Sequence, residues 1–108
     1  MKKGEIWFLE LPFKDGREQR GTRPCLILAN TTTDMIVVAP LTSNIQALRF
    51  PYAVEIKKSE KNGLSSDSIV LVFQVQSLDK RRFINRVGIV EDICLKKVEE
   101  TIRAMLQL

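Results

Sequence analysis

The residues best suited to chemistry lie between Gly16 and Ser43, where a polar loop rich in arginine precedes two apolar segments. The loop reads Gly16-Arg17-Glu18-Gln19-Arg20-Gly21-Thr22-Arg23-Pro24, and the second apolar segment ends in Pro40-Leu41-Thr42-Ser43. A guanidinium is planar and permanently charged, so it can bind two phosphate oxygens at once. Because the apolar segments indicate buried strands, they can hold Arg23 in a fixed place. The pattern predicts an anion site, with phosphate as its ligand.

Histidine is absent from the chain. This excludes Ser-His-Asp and Cys-His nucleophiles and any imidazole acid-base pair. The two cysteines, Cys25 and Cys94, have no Cys-x-x-Cys spacing and cannot supply the four ligands of a structural zinc site. We expect no metal, no cofactor, and two cysteines that pack as small apolar side chains.

The composition is that of one globular domain spanning residues 1–108, with 44% hydrophobic and 28% charged residues. The net charge of +4 permits binding to nucleic acid without requiring it. The basic residues concentrate in two groups, Lys14, Arg17, Arg20 and Arg23, then Lys80, Arg81, Arg82 and Arg86. The apolar runs are far shorter than the roughly 20 residues that cross a bilayer, and acidic residues interrupt any signal-peptide core. A cytoplasmic protein without membrane contact is expected.

Short strands separated by turn residues indicate a mainly β fold with a C-terminal amphipathic helix. The predicted strands are 5–11, 25–29, 35–40, 52–57, 68–75 and 84–90, the predicted helix is 91–108, and 57–67 is expected to form a solvated turn. No β-α-β alternation is present, so the strands should form a small, strongly curved antiparallel sheet or barrel. The core of such a short chain is small, so we expect an exposed apolar strand face to be covered by a second copy of the chain.

Five motifs occur along this chain in the following order: Gly4-Glu5-Ile6-Trp7, the loop 16–24, Pro40-Leu41-Thr42-Ser43, Ser68 with Gln74, and Leu78-Asp79-Lys80-Arg81. Together they resemble the MazF/PemK/Kid toxins over nearly the full length. The resemblance implies an SH3-like, CcdB/MazF-like barrel, a homodimer, and the toxin of a type II toxin-antitoxin system. It also implies a metal-independent endoribonuclease that cuts single-stranded RNA. Its partner would be a MazE-like antitoxin with an acidic C-terminal segment, with which it would bind DNA.

The resemblance assigns roles to individual residues. Carried onto this chain, the family's catalytic arginine is Arg23 and its catalytic threonine is Thr42. The residues expected to contact RNA are Arg17, Gln19, Arg20, Ser43, Gln74, Lys80 and Arg81. If a ribose 2′-hydroxyl attacks the adjacent phosphorus, both catalytic side chains would stabilise charge on the non-bridging oxygens. Three groups are candidates for proton transfer, namely Glu18, an arginine of shifted pKa and the threonine hydroxyl. Alternatively, Glu18 forms ion pairs that order the loop and takes no part in the chemistry.

Two features depart from the family pattern. Some relatives carry an Arg and Asp pair where this chain has the apolar residues 71–73, and Gln76 replaces a basic residue. A CcdB-like gyrase poison is the alternative, but it would need neither Arg23 nor Thr42. A nonenzymatic barrel that stacks bases is the third hypothesis. It would require exposed aromatic residues, and the sequence places most of them in strands that read as core.

Overall fold

The computed structural model describes residues 1–10 and 21–108. These residues form strands β1 (Glu5–Glu10), β2 (Thr22–Asn30), β3 (Met35–Thr42), β4 (Ala53–Ile56), β5 (Ser68–Leu71), β6 (Gln76–Asp79) and β7 (Phe83–Ile89), and then helix α1 (Asp92–Leu106). Short 3-10 turns cover Ile45–Arg49, Val72–Gln74 and Lys80–Arg82. The mainly β fold with a C-terminal helix is therefore confirmed.

The strands form one curved antiparallel sheet in the order β4-β5-β3-β2-β1-β7, and β6 pairs with β3 beside this path. One edge of β3 is shared by two strands, since Met35 to Val38 pair with β6 and Leu41 and Thr42 pair with β5. Within the described residues β4 and β7 end the path and do not pair with each other. These strands therefore do not close into the expected barrel.

The run predicted as one strand over 68–75 is interrupted. The chain leaves β5 at Leu71, makes a 3-10 turn closed by the Val75 amide donating to the Val72 carbonyl at 3.1 Å, and resumes as β6. Leu78 and Asp79, which lie beyond the predicted strand, belong to β6. The bend is invisible in the sequence because Val72, at its corner, is fully buried and continues the apolar run.

Two cores lie on opposite faces of β2. Leu26 joins the larger core under α1, where Val98 is fully buried. Cys25 and Ile27 join a second core with residues of β1, β3 and β6, namely Leu9, Ile36, Val38 and Leu78. Successive side chains of β2 point to opposite faces, and both faces are buried, which explains why the β2 sequence is continuously apolar. It also anchors the hairpin of β2 and β3 from both sides.

The segment between β4 and β5 is fixed by a buried polar side chain. Asn62 is fully buried, and its amide donates to the Lys57 carbonyl at 2.9 Å and to Glu91 at 3.0 Å. Its oxygen accepts from the amides of Ser59 and Leu64. The lysines of this turn are exposed, as expected of a solvated turn, but the prediction missed the buried centre.

Candidate active site

Arg23 lies near the start of β2, opposite Leu9 of β1, and its side chain is exposed. Two residues later Cys25 is fully buried, and its thiol lies 3.8 Å from the Arg23 carbonyl oxygen. Burial raises the pKa of the Cys25 thiol to about 12, although the nearby Arg23 charge lowers it. Since strand side chains alternate, Arg23 leaves the sheet on the face of Cys25 and Ile27. A charged side chain thus extends from a firmly packed strand.

Thr42 is the last residue of β3, half-buried and paired with Ile69 of β5. Its hydroxyl oxygen accepts a hydrogen bond from the Asn44 amide at 3.2 Å. Asn44 in turn caps the 3-10 turn by accepting from the Gln46 amide at 3.1 Å. A hydroxyl that accepts one hydrogen bond still carries a proton to donate. Thr42 can therefore shape the turn and contact a ligand at once.

A depression of about 200 Å³ opens beside Thr42. It contains Gln74, so two of the predicted site residues share one surface, and Ser43 lies exposed beside Thr42. Among the described residues, the lining consists of Thr42, Asn44, Gln46, Ala47, Arg49, Phe50, Leu71, Phe73 and Gln74. Ala47 and Leu71 are aliphatic and the other side chains are polar, aromatic or positive, so the lining formed by the described residues contains no acidic group.

The sequence analysis missed the aromatic part of this depression. Phe50 and Phe73 are 46% and 39% exposed, and Tyr52 is 41% exposed. The expectation that most aromatics lie in the core is wrong for these three, because each lies in or next to a short turn rather than inside a strand. A usable signal was present for Phe50, which lies between Arg49 and Pro51 after a polar connection.

Two of the predicted RNA contacts, Lys80 and Arg81, lie away from the depression beside Thr42. The Lys80 amide donates to the Asp34 carbonyl at 2.9 Å, next to the start of β3, whereas Thr42 is its end. At about 3.3 Å per residue, the length of β3 separates the two places by roughly 25 Å. Arg81 is paired with Asp79 through two side-chain contacts of 3.1 and 3.2 Å. A role for Lys80 and Arg81 in RNA binding stays a prediction.

Four predicted site residues, Arg17, Glu18, Gln19 and Arg20, lie outside the described residues. Among residues 1–10 and 21–108, no group of three His, Cys, Asp or Glu side chains is placed to ligate a metal ion. The helices found in those same two ranges are all too short or too polar to span a bilayer.

Comparison with known proteins gives one family. The profile described as "PemK-like, MazF-like toxin of type II toxin-antitoxin system" matches residues 2–106. Endoribonuclease MazF of Staphylococcus saprophyticus is 34% identical, the match covering all of this chain and 92% of that protein. Endoribonuclease EndoA of Bacillus subtilis is 31% identical, covering all of this chain and 96% of its own length.

A solved structure agrees with the sequence matches. The MazE-MazF crystal structure (Form-II) from Deinococcus radiodurans has a TM-score of 0.80 and 26% identity, covering all of this chain and 96% of that one. The match extends over the strands that carry Arg23 and Thr42 as well as the C-terminal helix. The chain therefore belongs to the family of PemK-like, MazF-like toxins of type II toxin-antitoxin systems.

Proposed function

We propose that the protein is an endoribonuclease that cuts single-stranded RNA without a metal ion and acts as the toxin of a toxin-antitoxin pair. Two relatives that match the whole chain are named endoribonucleases. The observation that carries the assignment is the position of an arginine and a threonine at the adjoining ends of two paired strands. A gyrase poison of the CcdB type would have no use for that pair.

The register of the hairpin supports a joint action of these two residues. β2 and β3 pair Leu26 with Ala39 and Cys25 with Pro40. Extended by two residues, the same register sets Arg23 opposite Thr42, and alternation sends both side chains to one face. Directly opposite residues have Cβ atoms about 5 Å apart. One phosphate group can then be contacted by both.

Each residue has a chemical role in attack by the ribose 2′-hydroxyl. The attack forms a bond from the 2′-oxygen to phosphorus and breaks the bond to the 5′-oxygen, leaving a 2′,3′-cyclic phosphate and a 5′-hydroxyl. Negative charge grows on the non-bridging oxygens, where the Arg23 guanidinium and the Thr42 hydroxyl can donate hydrogen bonds. The 2′-proton must be removed and the leaving oxygen protonated, and we assign one of these transfers to Glu18.

The partners follow from the family and from charge. The Deinococcus relative was crystallised as a MazE-MazF complex. For this chain we propose a homodimer, located in the cytoplasm, that a MazE-like antitoxin inhibits by laying an acidic C-terminal segment over the basic loop with Arg17, Arg20 and Arg23. Opposite charges favour that pairing and speed encounter. Undiminished RNA cleavage with saturating antitoxin bound would refute this mode of inhibition.

The activity is tested with purified protein and defined single-stranded RNA in excess EDTA. We expect cleavage with a cyclic phosphate upstream and a 5′-hydroxyl downstream. Loss of one such hydrogen-bond donor typically lowers the rate about 10²- to 10³-fold. Arg23→Ala and Thr42→Ala should fall in that range, while Thr42→Ser, which keeps a hydroxyl, should retain most activity. Cleavage that stops on chelation would overturn the metal-free mechanism.

A further inference from the structure

Phe50 and Phe73 form an exposed aromatic pair beside Thr42. Their ring centroids are 5.6 Å apart and the rings are inclined by 62°, an edge-to-face contact. The Arg49 guanidinium lies 5.7 Å from the centre of the Phe50 ring. We call Arg49, Phe50 and Phe73 the aromatic platform.

Each ring lies on a turn that is anchored by one buried residue, Ala47 for Phe50 and Val72 for Phe73. Phe50 ends the 3-10 turn Ile45–Arg49, and its amide donates to the carbonyl of buried Ala47 at 3.1 Å. Phe73 follows fully buried Val72, whose amide donates to the Tyr52 carbonyl at 3.1 Å. These contacts fix the backbone while leaving the rings exposed. Both aromatic rings therefore stand at the surface on supported positions rather than on a loose loop.

The surroundings fit a nucleobase better than an apolar protein surface. The depression that contains both rings also contains Thr42 and the amide side chains of Asn44, Gln46 and Gln74. Aromatic rings stack on the flat face of any base, and amides bind base edges by hydrogen bonds. The lining residues that the structure describes carry the positive charge of Arg49 and no carboxylate, so they complement an RNA backbone.

We propose that the aromatic platform is a base-stacking subsite for a nucleotide next to the phosphate that Thr42 contacts. The proposal rests on the ribonuclease function proposed above and adds a specificity element to it. Phe73 carries no hydrogen-bonding side-chain group, so stacking there tolerates different bases, and the neighbouring amides supply any preference. Arg49 adds its charge and a cation-π contact to the stack.

The test uses 2′-O-methyl oligonucleotides of random base sequence, which cannot be cut because the attacking hydroxyl is blocked. Affinity is compared for the native chain, Phe50→Ala, Phe73→Ala and a matched control. The control is Ile45→Ala, which removes a 55% exposed apolar side chain from the same turn but outside the depression. Loss of one stacked base corresponds to roughly 5- to 150-fold weaker binding. We expect such a loss for each phenylalanine variant and none for the control.

An abasic oligonucleotide of the same length separates stacking from indirect effects. On it, the native chain and both variants should bind with equal, weaker affinity. Unchanged binding of the base-bearing pool by both variants would overturn the subsite. So would an equal loss on the abasic backbone, or a sedimentation shift to monomer, which would assign the rings to a contact between copies. If the native chain neither binds nor cuts RNA, the proposed function itself fails.

Discussion

At the scale of single residues, the position of Arg23 depends on Cys25, the buried residue two positions further along β2. Cys25 fills the second core, and the strand that carries it continues without a break to Arg23. The apolar sequence around Cys25 was enough to predict a buried strand, and Pro24 marked the strand entrance at which Arg23 would be presented. The neighbours of Thr42 were harder to predict, because Asn44 and Gln46 act through backbone capping in a short turn.

The buried thiol gives a direct measure of how tightly this strand is packed. With a pKa of about 12, Cys25 should have roughly 10³-fold less thiolate at neutral pH than a free thiol, and it is shielded from reagent. In a Cys94→Ser background, which leaves Cys25 as the only cysteine, we expect reaction with a disulfide reagent only as fast as the hairpin opens. Full reaction should follow in denaturant. Labelling of the folded Cys94→Ser variant as fast as free glutathione reacts would contradict the packing described here.

At the scale of elements, the segment 57–64 is joined to the start of α1 through Asn62 and Glu91. Asn62→Ala leaves the Lys57 carbonyl and the Ser59 and Leu64 amides without this partner. An unsatisfied buried polar group costs about 1–3 kcal/mol. We expect a loss of that size in the free energy of unfolding measured with urea. The control is Asn85→Ala, at an exposed position on β7, which should change stability by less than about 0.5 kcal/mol.

A carboxylate ties β1 to β7. Burial raises the pKa of Glu5, but hydrogen bonds from the Trp7 indole and the Lys2 amide, with positive charge from the N-terminus and Arg86, bring the pKa below its usual value of 4.5. A lowered pKa in the folded state means stability that is present above the unfolded pKa and lost as pH falls through the folded one. Glu5 should therefore stabilise the fold at neutral pH and lose that effect in acid.

Glu5→Gln tests this linkage. We expect the variant to be less stable than the native chain by roughly 1 kcal/mol at pH 7, with the difference shrinking as pH falls below about 4.5. Thermal unfolding across this range measures it, and Glu10→Gln, at the exposed end of the same strand, is the control. A difference that stays constant from pH 7 to pH 3 would show that the charge of Glu5 is not the cause.

The elements also show where sequence patterns stop being informative. Alternation and turn residues placed β1 to β4, β7 and α1 within a few residues of their bounds. The corner at Val72–Gln74 was missed, since a bend through a buried apolar residue leaves the apolar run unchanged. That corner exposes Phe73, so the same miss concealed the aromatic platform. Asn62 was missed for the opposite reason, because a polar residue in a polar turn gives no sign of burial.

At the scale of the whole molecule, the sheet brings together residues that are distant in sequence. β3 pairs with β2 on one edge and with β5 and β6 on the other. Thr42 thus shares one surface with Gln74, while Lys80 lies at the opposite end of β3. In one chain Lys80 is therefore far from the phosphate proposed beside Thr42. We expect any contact of Lys80 with the same RNA to be to a distant nucleotide, or across the proposed dimer.

The central claim is that Arg23 and Thr42 act on one phosphate, and a double-mutant cycle of RNA cleavage rates tests it most directly. Groups that act as a unit give losses that are far from additive. We predict that Arg23→Ala with Thr42→Ala is only slightly slower than the slower single variant, all measured in EDTA on the same single-stranded RNA. A double variant whose loss equals the product of the two single losses would contradict the account.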